Sequence, residues 1–188
     1  MAGERDYFEA LGLERRLDVE PSELQHCYDR RCREAHPDSG GAREEFELVR
    51  EALVSLQSPA RRLRHWLELS GLAGTGEESV PALVADRFEE ISSLLRAAET
   101  VAERHGSAQS ALVRSMAEVE GMSLQGRLAQ AREEVETLTR QLVSRFGEFD
   151  RRGPTGVAAE AWEAVRALTF FEKWEDQLRT AWARAGCW

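Results

Sequence analysis

The sequence has 188 residues, of which 42% are hydrophobic and 31% charged, a balance typical of a folded globular protein rather than a disordered chain. The formal net charge of -9 excludes a general nucleic-acid binder, because such proteins need a basic face to displace counterions. No apolar run reaches the length of a membrane span, and the polar segment Met1–Phe8 is unlike a secretory signal. We therefore expect a cytoplasmic protein that has no membrane partner.

The first 70 residues predict four helices. Apolar residues recur at helical spacing, and no segment shows the sustained alternation of a strand. Pro21-Ser22-Glu23 is a typical helix start, with Ser22 as a good capping residue. His36-Pro37 ends the same helix, because a residue before proline is pushed out of the helical region. The predicted limits of the four helices are Arg5–Leu11, Pro21–Ala35, Ala42–Leu56 and Ala60–Leu69.

Beyond a glycine-rich stretch at 71–76, the apolar residues form three longer helical stripes. Each stripe covers one face of a helix, and three antiparallel helices packed together would bury all three. The segment 108–123 could be an extra helix or an irregular crossover. The sequence thus predicts an all-α fold with a first domain at 1–72, a linker at 73–80 and a helical domain at 81–188. The stripes are Val84–Ala102, Leu124–Phe149 and Leu168–Trp182.

The pattern that points to a function is His36-Pro37-Asp38, which lies between two predicted amphipathic helices. Alone, such a tripeptide is an ordinary turn that stops a helix. Held by a pair of packed helices it would be displayed rigidly, so little entropy would be lost when it docks. Positive charge on the outer side of the preceding helix would steer it toward an acidic surface. That charge comes from Arg30, Arg31 and Arg33.

The first 70 residues resemble a J domain. The resemblance rests on the phrase at 6–13, on the helix with Leu24 and Tyr28, on the His-Pro-Asp motif, on the helix with Phe46, and on the closing phrase at 52–59. It implies that His36, Pro37 and Asp38 trigger ATP hydrolysis in a DnaK- or HscA-type chaperone. It also implies that the three arginines dock on that chaperone's ATPase domain. One position departs from the pattern: J domains usually place an aliphatic residue where this chain has Arg31.

Three phrases are similar to the HscB family of iron–sulfur co-chaperones. They are Asp6–Leu13 with the short acidic loop after it, Ser58–Gly71, and Val165–Lys173 near the C-terminus. The resemblance implies a C-terminal three-helix bundle and a client, the scaffold protein on which iron–sulfur clusters are assembled. The family binds this client through an apolar patch on the first and last helices of the bundle. By that resemblance the patch consists of Phe170, Phe88, Val84 and Ala85. Helical periodicity alone favours the core for Val84 and Phe88.

Other kinds of site find little support in the sequence. His26, Cys27, Cys32 and His36 are metal-ligating types, but Cys27 faces away from the others and no familiar zinc spacing results. No arrangement of nucleophile and base suggests catalysis, and no glycine-rich loop suggests phosphate binding. We therefore expect no metal, no cofactor and no enzymatic activity, since the ATP belongs to the partner.

The sequence thus predicts a co-chaperone that stimulates a DnaK- or HscA-type ATPase and delivers an iron–sulfur scaffold protein to it. Two alternatives stay open. One is a J-domain protein with a different client. The other is a structural helical adaptor with a degenerate J domain, which Arg31 and the long stripe at 124–149 favour.

Overall fold

The computed structural model describes residues 5–36, 42–72, 74 and 79–186 of the chain. Over these residues the chain forms eight helices and no strand, which confirms the predicted all-α fold. None of the helices in these ranges has the length and apolar composition that crossing a membrane requires. The helices are α1 (Tyr7–Leu11), α2 (Pro21–Ala35), α3 (Arg43–Gln57), α4 (Pro59–Glu68), α5 (Ala82–Ser107), α6 (Ala111–Val143), α7 (Phe146–Arg152) and α8 (Pro154–Gly186).

Local capping decides where the first helices begin. The Asp6 carboxylate accepts hydrogen bonds from the first turn of α1, so α1 begins at Tyr7 and not at the predicted Arg5. Helix α2 begins at Pro21 as predicted, but the predicted cap Ser22 lies inside the helix and makes no cap. The limits of α1 to α4 therefore differ from the predicted ones by at most about two residues.

The chain divides into two compact units. The first consists of Met1–Glu78 and Leu142–Val165, and the second of Ser79–Gln141 and Arg166–Trp188. The sequence predicted a single C-terminal domain at 81–188 after a linker at 73–80. In the structure, the segment Leu142–Val165 instead belongs to the unit that contains α1 to α4.

In the first unit, α1, α2 and α3 pack on one another and α4 packs on α3. Phe146 and Phe149 of α7 are fully buried in the same unit, and the Arg62 guanidinium lies 5.5 Å from the centre of the Phe146 ring. The end of the stripe at 124–149 thus contributes to this core rather than to the predicted bundle. The fully buried apolar residues of α1 to α4 and their connections are Phe8, Leu11, Leu17, Ala35, Val49, Ala52, Leu56, Leu63 and Leu67.

The second unit is a helical bundle made of α5, most of α6 and the part of α8 from Arg166 onward. Arg87 near the start of α5 lies 3.8 Å from Glu134, while Arg104 near its end pairs with Glu120 near the start of α6. Helices α5 and α6 are therefore antiparallel. Because α6 begins at Ala111, the segment left open at 108–123 is mostly the first part of a long helix.

Candidate functional site

The His-Pro-Asp segment connects two packed helices, α2 and α3. Helix α2 ends at Ala35, and His36 leaves it with an extended backbone (φ −65°, ψ 133°). The His36 side chain is exposed, and its ring meets the Phe46 ring of α3 edge-on at 5.4 Å between centres. Pro37 and Asp38 lie outside the described residues. The hairpin therefore presents His36 at its surface, beside the first turn of α3.

Arg31 of α2 connects its own helix to α1 and α3. Its Nε donates to the Ala10 carbonyl of α1 at 3.0 Å, its Nη1 to Glu34 at 2.8 Å, and its Nη2 to Glu45 of α3 at 3.1 Å. The hydrogen bond with Glu34 is the main reason that the pKa of Arg31 is raised above its ordinary value. The side chain is 27% exposed, so much of its stem is covered. Arg31 thus uses its charge inside the hairpin.

The other two arginines of the predicted docking face are exposed at the surface of α2. Arg33 is exposed and donates from Nε to the Asp29 carbonyl of its own helix at 3.0 Å. Arg30 is exposed as well, with one Nη 3.8 Å from the Cys27 sulfur. Neither forms an ion pair within the described residues. The two remain available to an acidic partner, whereas Arg31 is engaged.

Replacing Arg31 by methionine is expected to lower the free energy of unfolding by about 1–2 kcal/mol, since charge-assisted hydrogen bonds to Ala10 and Glu45 are lost. Arg33→Met is the matched control on the same helix, and we expect a change within about 0.5 kcal/mol. Urea unfolding followed by circular dichroism measures both. Equal stability of the two variants would show that Arg31 is not a structural link.

A polar cluster joins α7 to the connection between α1 and α2. The Asp150 carboxylate accepts hydrogen bonds from the backbone N–H groups of Leu17 and Asp18 at 2.9–3.0 Å. Nearby Arg62 is buried and donates to the Leu56 carbonyl at 3.2 Å. Burial lowers its pKa, while the charges of Asp18 and Asp150 oppose that shift. Sequence reasoning missed this cluster, which fixes the connection that precedes α2.

His65 also supports the first turn of α1. Its Nε2 accepts a hydrogen bond from the Tyr7 N–H at 3.0 Å, and its ring stacks on Phe8 at 5.8 Å between centres. An imidazole nitrogen that accepts in this way carries no proton, so the bond requires the neutral ring. His65 therefore has a structural role in holding the start of α1.

The predicted client patch is an aromatic cluster on the bundle. Phe88 of α5 is 49% exposed and Phe170 of α8 is partly exposed. Both rings contact Trp174, at 6.3 and 6.0 Å between centres. The expectation that Phe88 lies in the core is wrong, because α5 turns Ile91 and Leu94 inward instead. Trp174, which lies within the predicted stripe Leu168–Trp182, is the buried ring that joins the two.

The remaining two patch residues differ in their surroundings. Val84 is fully buried, as helical periodicity favours, while Ala85 is exposed next to it on α5. Leu83 is exposed on the same first turn of the helix. The exposed apolar surface of the predicted patch thus comes from Ala85, Phe88 and Phe170. Among the described residues, no group of three or more histidine, cysteine or carboxylate side chains could hold a metal ion.

Comparison with known proteins relates part of this chain to DnaJ proteins. No family model matches it. The chain is 37% identical to the chaperone protein DnaJ of Halothermothrix orenii over 82 residues, which are 42% of this chain and 21% of that protein. The chain is also 37% identical to the chaperone protein DnaJ of Nostoc punctiforme over 98 residues, which are 47% of this chain and 25% of that protein. The chain therefore spans about a fifth to a quarter of the length of the curated relatives it matches.

A solved structure extends the likeness to almost the whole chain. Chaperone HscB from Vibrio cholerae matches with a TM-score of 0.61 and 17% identity, over 93% of this chain and 96% of that one. At this identity the likeness is one of fold: a J domain and a C-terminal helical bundle. In sequence over part of its length, and in fold over nearly all of it, the chain resembles the J-domain co-chaperones, HscB among them.

Proposed function

We propose that the protein is a co-chaperone that stimulates ATP hydrolysis by a DnaK- or HscA-type chaperone and delivers an iron–sulfur scaffold protein to it. The observation that carries the first part is the packed α2–α3 hairpin, which exposes His36 at its end and Arg30 and Arg33 on its side. The partner binds and hydrolyses the ATP, so the protein catalyses no reaction itself. ATP turnover by a cognate chaperone, with and without this protein, tests the proposal.

In this mechanism, docking and triggering are separate tasks of the hairpin. Arg30 and Arg33 attract an acidic face of the ATPase domain and raise the rate of encounter, so docking weakens as salt increases. The loop with His36, Pro37 and Asp38 then contacts the ATPase domain and promotes hydrolysis. Arg31 was predicted to dock with its neighbours. Its bonds to α1 and α3 indicate that it holds the hairpin in shape instead.

The client assignment rests on the aromatic cluster of the bundle. A partly exposed phenylalanine supported by a buried tryptophan is a rigid apolar anchor, and such anchors carry much of the energy of protein interfaces. Phe88 and Ala85 extend the surface on α5. Val84 adds no exposed surface to this patch, because its side chain is buried. The likeness to HscB favours a scaffold protein as the occupant of this patch.

Phe170→Ala is expected to weaken capture of the scaffold protein about tenfold, a loss typical of an interface anchor. Isothermal titration of the full chain with the purified scaffold measures this. Val54→Ala is the control, because Val54 is an exposed apolar residue of α3 in the other unit. Unchanged affinity of the Phe170 variant would mean that the client binds elsewhere.

The two alternatives give different results in these assays. A J-domain protein with another client would stimulate the chaperone but would not bind the scaffold protein at all. A structural adaptor with a degenerate J domain would fail to bind any DnaK-type chaperone. The exposed His36, Arg30 and Arg33 favour a working J domain over the adaptor.

A further inference from the structure

An exposed tryptophan lies beside a cavity of the helical bundle. Trp182 of α8 is 48% exposed, whereas Trp174 on the same helix is buried. Trp182 forms one wall of a cavity of about 460 Å³ between α6 and α8. The other walls come from about two turns of α6, and the fully buried Leu128 closes the cavity toward the core. The residues of α6 that line the cavity are Leu128, Ala129, Arg132, Glu133 and Glu136.

Contacts between α6 and α8 hold Trp182 at this cavity. Gln125 of α6 donates from Nε2 to the Trp182 carbonyl at 3.2 Å. Gly186, one turn after Trp182, has no room for a side chain, because the Gln125 amide occupies that space. The two helices therefore approach closely at one end of the cavity, and the cavity is a consequence of how they pack.

The walls of the cavity carry one unpaired negative charge. Arg132 and Glu136 pair with each other at 3.0 Å, so their charges cancel. The exposed Glu133 carboxylate forms no ion pair with any residue that the structure describes. An anion in the cavity would be repelled by Glu133, and Arg132 is already engaged. A cation is therefore the ligand that fits, since an indole ring attracts cations as well.

We propose that this cavity receives an arginine side chain of a protein partner. The guanidinium stacks on Trp182 and pairs with Glu133, while the aliphatic stem packs on Leu128 and Ala129. Tryptophan binds cations better than the other aromatic side chains do. Arginine suits these walls better than lysine, because its planar guanidinium is more weakly hydrated and can form two hydrogen bonds with one carboxylate.

The cavity differs from the two surfaces on which the proposed function depends. The predicted client patch lies on α5 and α8 and contains no residue of the cavity walls. Arg30 and Arg33 suit an acidic face, whereas the cavity selects a positive group. A partner that fits the cavity therefore needs a basic segment, and its binding can be measured without the chaperone or the scaffold protein.

Nuclear magnetic resonance of the full chain with a short peptide tests the proposal. The probe is acetyl-Ala-Arg-Ala-amide, and the signal is the indole N–H of Trp182, assigned by its loss in Trp182→Leu. We expect a saturable shift with a dissociation constant on the order of 1–10 mM, since a single side chain supplies the contacts. The same peptide with citrulline has the shape of arginine but no charge, and it should bind about threefold more weakly or worse.

Two substitutions separate the ring from the carboxylate. Trp182→Leu and Glu133→Gln should each weaken binding of the arginine peptide about two- to fivefold, measured at the backbone amide of Ala129. Glu103→Gln is the matched control, because it removes the same charge from an exposed position of α5 in the same bundle. This control should bind the peptide as the wild type does. Circular dichroism checks that all three variants remain helical.

Four results would overturn the proposal. One is the absence of any shift of the Trp182 signal at about 20 mM arginine peptide. Another is equal binding of the citrulline peptide, which would mean that apolar contact alone fills the cavity. Equal weakening by Glu103→Gln and Glu133→Gln would show that the net charge of the chain attracts the peptide. Tighter binding of a lysine peptide than of the arginine peptide would reject arginine as the occupant.

Discussion

His36→Gln is expected to reduce the stimulation of a DnaK-type chaperone to its unstimulated rate of ATP hydrolysis. The imidazole leaves the end of α2 with its ring edge on Phe46, at the surface of the packed hairpin. Glutamine keeps a polar side chain of similar length but offers no ring to fix its direction. Because His36 follows the last turn of α2, the helix itself should persist. Single-turnover hydrolysis with saturating co-chaperone measures the effect.

The control for this experiment is His26→Gln, an exposed histidine on the same helix. It should stimulate the chaperone as the wild type does. Surface plasmon resonance adds a second comparison, since the His36 variant should still dock through Arg30 and Arg33. Equal stimulation by the wild type and the His36 variant would reject the proposed function, because the exposed histidine would then have no part in triggering.

Phe146→Ala is expected to cost about 3–5 kcal/mol of stability, the usual loss for a fully buried phenylalanine. The loss should fall on the unit that contains α1 to α4, although Phe146 lies far along the chain. Its ring supports the buried Arg62 guanidinium, and α7 also carries Asp150, whose carboxylate holds the connection before α2. Hydrogen exchange of the backbone amides measures where protection is lost.

The matched control is Phe171→Ala, the same change at a fully buried phenylalanine of the other unit. Amides of α1 to α3 should lose protection in the Phe146 variant, whereas amides of α5 should lose it in the Phe171 variant. Loss of protection in α5 alone after Phe146→Ala would contradict the division of the chain described above.

The helices of this fold follow from the sequence because their signals are local. Pro21 begins α2 and the His36-Pro37 step ends it, and both lie within a turn of the residues they affect. The contacts of Asp150 have no such signal. It binds the N–H groups of Leu17 and Asp18 from more than 130 positions away, and any exposed aspartate would look the same in sequence.

The sequence predicts which residues form the candidate site, but it does not predict all of the contacts that these residues make. The sequence predicts one charged face of Arg30, Arg31 and Arg33, because helical spacing does not reveal that Glu45 and the Ala10 carbonyl lie within reach of Arg31. Phe88 matches the spacing of a core residue. The buried face of α5 is centred roughly 90° away from it, and only the packing of the bundle shows this.

The first unit is discontinuous in sequence, and this affects its synthesis. Helices α1 to α4 leave the ribosome before Leu142–Val165, the segment that carries Phe146 and Asp150. At about 5–20 residues per second, the intervening stretch of Ser79–Gln141 delays that segment by about 3–13 seconds. During this interval the nascent first unit lacks part of its apolar core, and its folding is complete only after Leu142–Val165 has been translated.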